Sequence, residues 1–150
     1  MDSIIETPIG AIRIREEQGY ITELYTTART CASRTPLAEK AEQQLAEYFS
    51  GKRTEFDLPC RPKGTAFQEK VWAALRQIPY AETRSYKDIA CAIGSPKACR
   101  AVGGAIHRNP ILILIPCHRV IGADGSMTGF GAGIPLKETL LTLERNSKPC

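Results

Sequence analysis

The sequence predicts an α+β fold: a small N-terminal α/β part with an antiparallel sheet, and a mostly helical C-terminal part containing a helix-turn-helix. Three observations predict it. Apolar and charged residues alternate near the N-terminus, as in strands with one buried face. A stretch over residues 52–64 carrying Pro59, Pro62 and Gly64 then reads as a linker. Beyond it the pattern turns to short capped helices, two of them separated by a turn containing Gly94. This divides the chain into residues 1–62, a domain with its linker, and residues 63–150. A length of 150 residues accommodates such a pair, or one medium domain.

Each element has its own warrant. Ala11–Ile12–Arg13–Ile14–Arg15 alternates, Gly19 marks a turn, and Tyr20–Ile21–Thr22–Glu23–Leu24–Tyr25 is a second β-rich run. Ser3–Ile4–Ile5–Glu6 joins them in a small sheet. After Pro36, the residues Leu37, Ala41, Leu45 and Tyr48 share one face of a helix that stops near Ser50–Gly51. Thr65 caps a helix carrying Phe67, Val71, Trp72 and Leu75, ending before Pro79. Ser85 caps the next, residues 86–93, and Gly94 ends it. Ser95 and Pro96 open a third, residues 97–107, with Ser as cap and Pro at the first helical position. This would be the recognition helix of the pair, carrying Lys97 and Arg100, with Arg108 at its end. Asn109–Pro110 reads as a turn, and the apolar run Ile111–Leu112–Ile113–Leu114–Ile115 as a buried strand that delivers Cys117 to a defined place. Residues 122–133 read as a glycine-rich loop or hairpin. The last helix, residues 135–145, carries Leu136, Leu140, Leu141 and Leu143 and places Glu144 on its final turn.

Composition narrows the function classes. Apolar residues make up 43% and charged residues 24%, ordinary for a globular protein, and no apolar run approaches the roughly 20 residues of a membrane span. The first residues lack a basic start and an apolar signal core, so a cytoplasmic protein is expected, or a nuclear one in a eukaryote. Residues 1–62 hold eight Lys/Arg against ten Asp/Glu, whereas residues 63–150 hold twelve against six. The basic half is therefore the candidate for meeting a polyanion. The cysteines are Cys31, Cys60, Cys91, Cys99, Cys117 and Cys150; none form a C-x-x-C pair, and with only His107 and His118 as histidines no metal site is expected.

Cys117 stands apart because His118 and Arg119 follow it. A thiol is a weak nucleophile and its thiolate a good one, so a neighbouring imidazole that takes the proton, itself oriented by a carboxylate, makes a reactive group. By residue type alone, a buried thiol beside a surface imidazole fits as well, Tyr86 and Phe130 fit as core aromatics, and Glu144 fits as a solvated helix residue.

Arg100–Ala101–Val102–Gly103–Gly104–Ala105, Asn109–Pro110, Ile115–Pro116–Cys117–His118–Arg119–Val120–Ile121 and Gly129–Phe130–Gly131 follow one another at tight spacing. Together they closely resemble the O6-alkylguanine-DNA alkyltransferases, strongly over about residues 65–145 and more loosely over residues 1–62, where that family has a variable N-terminal domain. The resemblance implies single-turnover transfer of an alkyl group from O6-alkylguanine, and from O4-alkylthymine, in double-stranded DNA to Cys117, by a stand-alone monomer that needs no cofactor. It implies His118 as base through a bridging water, Glu144 as its orienting carboxylate, and Asn109 as the tie between the turn after the recognition helix and the site. It implies Arg100 as the finger that fills the gap left by a flipped base, and Tyr86 as proton donor to guanine N3. Ser85, Ser95, Lys97 and Ala101 would touch DNA in the minor groove, and Arg119, Val120, Phe130 and Gly131 the substrate base. Phe130 replaces a more usual Tyr, and Ala132–Gly133–Ile134 a more usual Gly-Gly-Leu. Three other classes compete: a lesion-binding relative without an acceptor thiol, a helix-turn-helix regulator with a redox cysteine, and a cysteine hydrolase. The presence of Cys117 opposes the first, the last demands turnover, and the second needs a repeated operator and usually a dimer.

Overall fold

The computed structural model describes residues 2–28, 34–122, 124 and 133–147. Strands β1 (Asp2–Thr7), β2 (Gly10–Glu17) and β3 (Tyr20–Thr26) form an antiparallel meander in that order. The β2–β3 turn is two residues, Gln18 and Gly19, both at positive φ (52° and 82°), the backbone hand that matches strand twist in tight hairpins. Ile5, Ile12, Ile14, Ile21 and Leu24 are fully buried on the sheet face that receives helix α1 (Pro36–Phe49). Thr35 caps α1 by accepting from Ala38 N, and Ala38, Ala41, Leu45 and Tyr48 form its buried stripe.

The linker is strapped down. Gln44 on α1 exchanges two hydrogen bonds with the Asp57 backbone, at 2.9 and 3.2 Å. Ile21 N donates to Pro59 O and Arg61 N to Ile21 O, both at 2.8 Å, so the outer edge of β3 is covered. Further along the same edge Leu24 N donates to Pro110 O at 2.9 Å and Leu112 N to Leu24 O at 2.8 Å. The sheet thereby holds the segment that leads to Cys117, and one apolar cluster runs from Ile5 through Trp72 to Leu140.

The C-terminal half consists of α2 (Ala66–Leu75), β4 (Arg84–Ser85), α3 (Tyr86–Ala92), α4 (Cys99–His107), a 3-10 turn at Cys117–Arg119, β5 (Val120–Ile121) and α5 (Ile134–Asn146). Thr65 with Gln68 and Ser85 with Asp88 form reciprocal caps on α2 and α3. Trp72 joins α2 to α4 through its indole N–H, which donates to Ala105 O at 2.8 Å. The short parallel pair of β4 and β5 sets Arg84 beside Val120, tying the start of the helix pair to the residue that follows the Cys-His-Arg turn. No described helix is long and apolar enough to cross a membrane, and no group of three or more His, Cys, Asp or Glu among the described residues could hold a metal.

Two sequence expectations are corrected. Helix α4 begins at Cys99, with Ala98 as an N-cap that makes no side-chain bond. Ser95 and Pro96 instead form a turn closed by Ala98 N donating to Ser95 O at 2.9 Å, so Lys97 precedes the helix. Nor is the apolar run a strand: only Ile111 bridges to β3, and residues 112–114 turn. Its residues are buried on every side, a pattern that fits a strand and a coiled loop equally well.

Candidate functional site

The site begins at the end of α4. Asn109, 3% exposed, is a two-handed staple: its Oδ1 accepts from Ile111 N at 3.0 Å and its Nδ2 donates to Ile115 O at 2.9 Å. Between these anchors the backbone coils tightly. Ile115 N donates to Ile111 O at 3.2 Å, and Leu114 N to Leu112 O at 2.7 Å around Ile113, a β-branched residue at φ 70°. Such a three-residue turn at positive φ is rare and strained, and persists only where the surroundings over-determine it. A second three-residue turn, around Pro116 at φ −79°, ψ 64°, is closed by Cys117 N donating to Ile115 O at 2.7 Å. The proline at this corner begins the 3-10 turn and leaves Cys117 3% exposed.

His118, fully buried, points to α5. That helix presents Lys137, Leu140, Leu141 and Glu144 on one buried stripe, the i, i+3, i+4, i+7 face. Glu144 is a hub. Its Oε2 receives His118 Nε2 at 2.6 Å, the Tyr48 hydroxyl at 2.5 Å and Arg119 Nη2 at 3.0 Å. Its Oε1 receives Arg119 Nε at 2.8 Å and Ala81 N at 3.2 Å. Arg119 Nη1 donates to Ile78 O at 2.9 Å.

These contacts set the charges. Burial pushes the Glu144 carboxyl up, but the hydrogen bonds from His118 and Arg119 outweigh it and hold the group well below the carboxylate range, so it is ionised. Burial lowers His118, and Glu144 pulls it partway back, which leaves a neutral imidazole. A carboxylate can only accept, so Nε2 carries the proton and Nδ1 the lone pair. Nδ1 is buried with no hydrogen-bond partner among the described residues. Burial pushes the Cys117 thiol up to about 11, against smaller opposing pulls from the Asn109 side chain and the Lys137 ammonium. The resting sulfur is therefore a thiol, and thiolate must form at the moment it is used.

The exposed side of the helix pair is built differently. Arg100, Ala101 and Gly104 lie exposed on α4, Lys97 is exposed ahead of it, and Ser95 is half-buried. Tyr86 is half-buried at the start of α3, within 3.8 Å of where a Cβ on Gly103 would sit. A Cβ on Gly104 would meet nothing, so no packing inside the protein requires glycine there. Ser85 accepts from Asp88 N at 3.1 Å as the α3 cap. Val120 is fully buried on β5. Arg119, expected against the substrate base, instead directs its guanidinium to Glu144 and Ile78 O. Phe130 and Gly131 lie outside the described residues. Sequence reasoning missed Tyr48, Lys137 and Ala81; the one signal available for Lys137 was its place seven residues before Glu144 on the stripe of Leu140 and Leu141.

Residues 66–146 match the family model described as 6-O-methylguanine DNA methyltransferase, DNA binding domain. The constitutive methylated-DNA–protein-cysteine methyltransferase of Bacillus subtilis is 49% identical, over 95% of this chain and 93% of that protein. Its counterpart from Methanosarcina barkeri is 48% identical, over 96% of each. Among solved structures, the Mycobacterium tuberculosis O6-methylguanine methyltransferase superposes with a TM-score of 0.89 at 44% identity, covering 99% of this chain and 94% of that one. Mycobacterium tuberculosis OGT in complex with DNA superposes at 0.88 with 46% identity, covering 98% and 94%. The chain belongs to the methylated-DNA–protein-cysteine methyltransferase family.

Proposed function

We propose that this protein repairs DNA by moving the alkyl group of O6-alkylguanine onto Cys117, once and irreversibly. The observation that carries this reading is the orientation of His118: Nε2–H is spent on the Glu144 carboxylate 2.6 Å away, which leaves the buried Nδ1 as a proton acceptor next in sequence to a buried thiol. The relatives named above as methylated-DNA–protein-cysteine methyltransferases, and the Mycobacterium tuberculosis OGT solved in complex with DNA, support the same substrate and partner.

In the reaction a C–S bond forms as the C–O6 bond breaks, with sulfur attacking in line. The thiol proton passes to His118 Nδ1, directly or through one water, and Glu144 stabilises the resulting imidazolium. The electron pair of the broken bond stays on guanine, and a proton from Tyr86 at N3 neutralises the leaving base. The product is a thioether, so each protein acts once and the chemistry needs no cofactor. The target base leaves the stack, at a cost of roughly a few kcal/mol, and Arg100 fills the vacated place. Exposed Ala101 and Gly104 let the helix backbone approach a minor groove, and Lys97 meets phosphate, so a monomer binds with strong salt dependence and little regard for sequence. Ser85 and Ser95 border that surface, while Val120, Phe130 and Gly131 line the base.

Incubation with an oligonucleotide bearing one O6-methylguanine should add a single methyl mass to the protein, mapped to Cys117 and missing in Cys117→Ser. An unchanged mass while DNA remains bound would make the protein a lesion-recognition module, and the roles of Cys117, His118 and Glu144 in transfer would fall.

A further inference from the structure

We propose that Tyr48 is a positioning residue of the relay: from the N-terminal helix, its hydroxyl sets how strongly Glu144 holds the His118 Nε2 proton. The inference rests on the alkyltransferase reading for its kinetic consequence and on the geometry alone for its spectroscopic one. Tyr48 and Glu144 are both fully buried and lie 96 positions apart in the chain. The contact at 2.5 Å is the shortest that Glu144 makes, and it ends on Oε2, the oxygen that also receives His118. Donors that converge on one carboxylate oxygen share its electron density, so each weakens the bond the others make. Arg119 divides its donation between both oxygens and Ala81 N uses Oε1, which leaves the tyrosine and the histidine as the close competitors on Oε2.

Ring packing does not require the hydroxyl. The Tyr48 ring meets Phe49, Phe56 and Tyr80 at centroid distances of 5.3, 5.4 and 6.2 Å, contacts that a phenylalanine would keep. Burial, and then the Glu144 charge, push the phenol above its ordinary value, so it remains a neutral donor throughout the working pH range. With that donor in place Glu144 is a weaker base, and a protonated His118 gains less from it. The hydroxyl thus keeps His118 poised as a neutral acceptor, and residues outside the matched span 66–146 take part in the acid–base setting of the site.

Tyr48→Phe tests this. Without the hydroxyl, Glu144 pulls harder on the histidine: the His118 Nε2 proton resonance should move downfield. The acid limb of the single-turnover methylation rate should rise by roughly half to one pH unit, because His118 stays protonated to higher pH. Phe56→Leu, which disturbs the same aromatic cluster without touching Glu144, should lower the melting temperature and leave both readouts in place. Identical Nε2 proton shifts and superimposable pH profiles for wild type and Tyr48→Phe would overturn the proposal, whatever happens to stability. If Tyr48→Phe does not fold, the wild-type protein carries the test: the Tyr48 hydroxyl proton and the His118 Nε2 proton, both on Oε2, should show a cross-peak, and its absence overturns the proposal. A wild-type protein that gains no methyl mass would sink the transfer reading alone, since the resonance measurements do not depend on it.

Discussion

Around Glu144, three side chains and a backbone amide meet with almost no solvent, whereas on α4 and at its C-terminal end the cations Arg100 and Arg108 stand in water. Charge in the first region is expensive to bury and must be fully partnered; charge in the second is cheap, screened and free to meet a partner. Stability and the protonation of the thiol relay therefore depend on the buried hub. In the proposed function, DNA affinity would depend on the exposed α4 surface, which contributes little to folding.

Arg119→Met should break the comparison most forcefully. It removes the bidentate partner of a buried carboxylate, for which a loss of about 3–5 kcal/mol is expected, read by chemical denaturation. Arg100→Ala should stay within about 0.5 kcal/mol in the same assay while weakening DNA binding. Equal losses from the two substitutions would erase the distinction.

The next effect is in pH. Cys117 is raised from 9.0 to about 11 in the folded protein, so the unfolded chain releases its thiol proton first. The stabilising contribution is complete below pH 9 and disappears as pH rises toward 11; one pKa unit is about 1.4 kcal/mol, so roughly 3 kcal/mol is at stake. Cys117→Ser, or methylation of Cys117, should remove that alkaline loss. At the acid end the folded-state values of Glu144 and His118 are depressed, so stability falls as pH drops, first below the ordinary histidine value of 6.5 and then below the carboxyl value of 4.5. A flat alkaline limb in the wild type would show that Cys117 is solvated in the folded state.

The smallest effect sharpens the contrast at a single atom. Gly104→Ala adds a methyl group that meets nothing in the protein, in a helix where glycine costs about 1 kcal/mol relative to alanine. The variant should melt higher and bind DNA more weakly. If it binds as well as wild type, close approach of the α4 backbone is not how this surface works.

Much of this was legible in sequence. The three strands, α1 with its Leu45 and Tyr48 stripe, the caps at Thr65 and Ser85, and Glu144 on the last turn of α5 all follow local periodicity and capping chemistry. Local rules failed where tertiary partners decided. Ser95 and Pro96 have the right chemistry to start a helix, but the chain closes a turn there and delays α4 to Cys99. Residues 111–115 have the composition of a buried strand, yet Asn109 holds both ends of the segment and turns it back on itself. No local pattern pairs Arg119 with Glu144, 25 positions away, and only the fold brings its fork onto that carboxylate.

By itself the sequence determined where the three strands of the sheet and the helices α1, α2 and α3 lie, that the second half is basic, and which cysteine stands beside a histidine. It did so because those features depend on neighbours a few positions away. Only the tertiary structure decided that Tyr48, Ala81, His118 and Arg119 converge on one carboxylate, and that the thiol rests protonated. Burial and distance between residues as far apart as Tyr48 and Glu144 set those energies, and no local pattern along the chain encodes them.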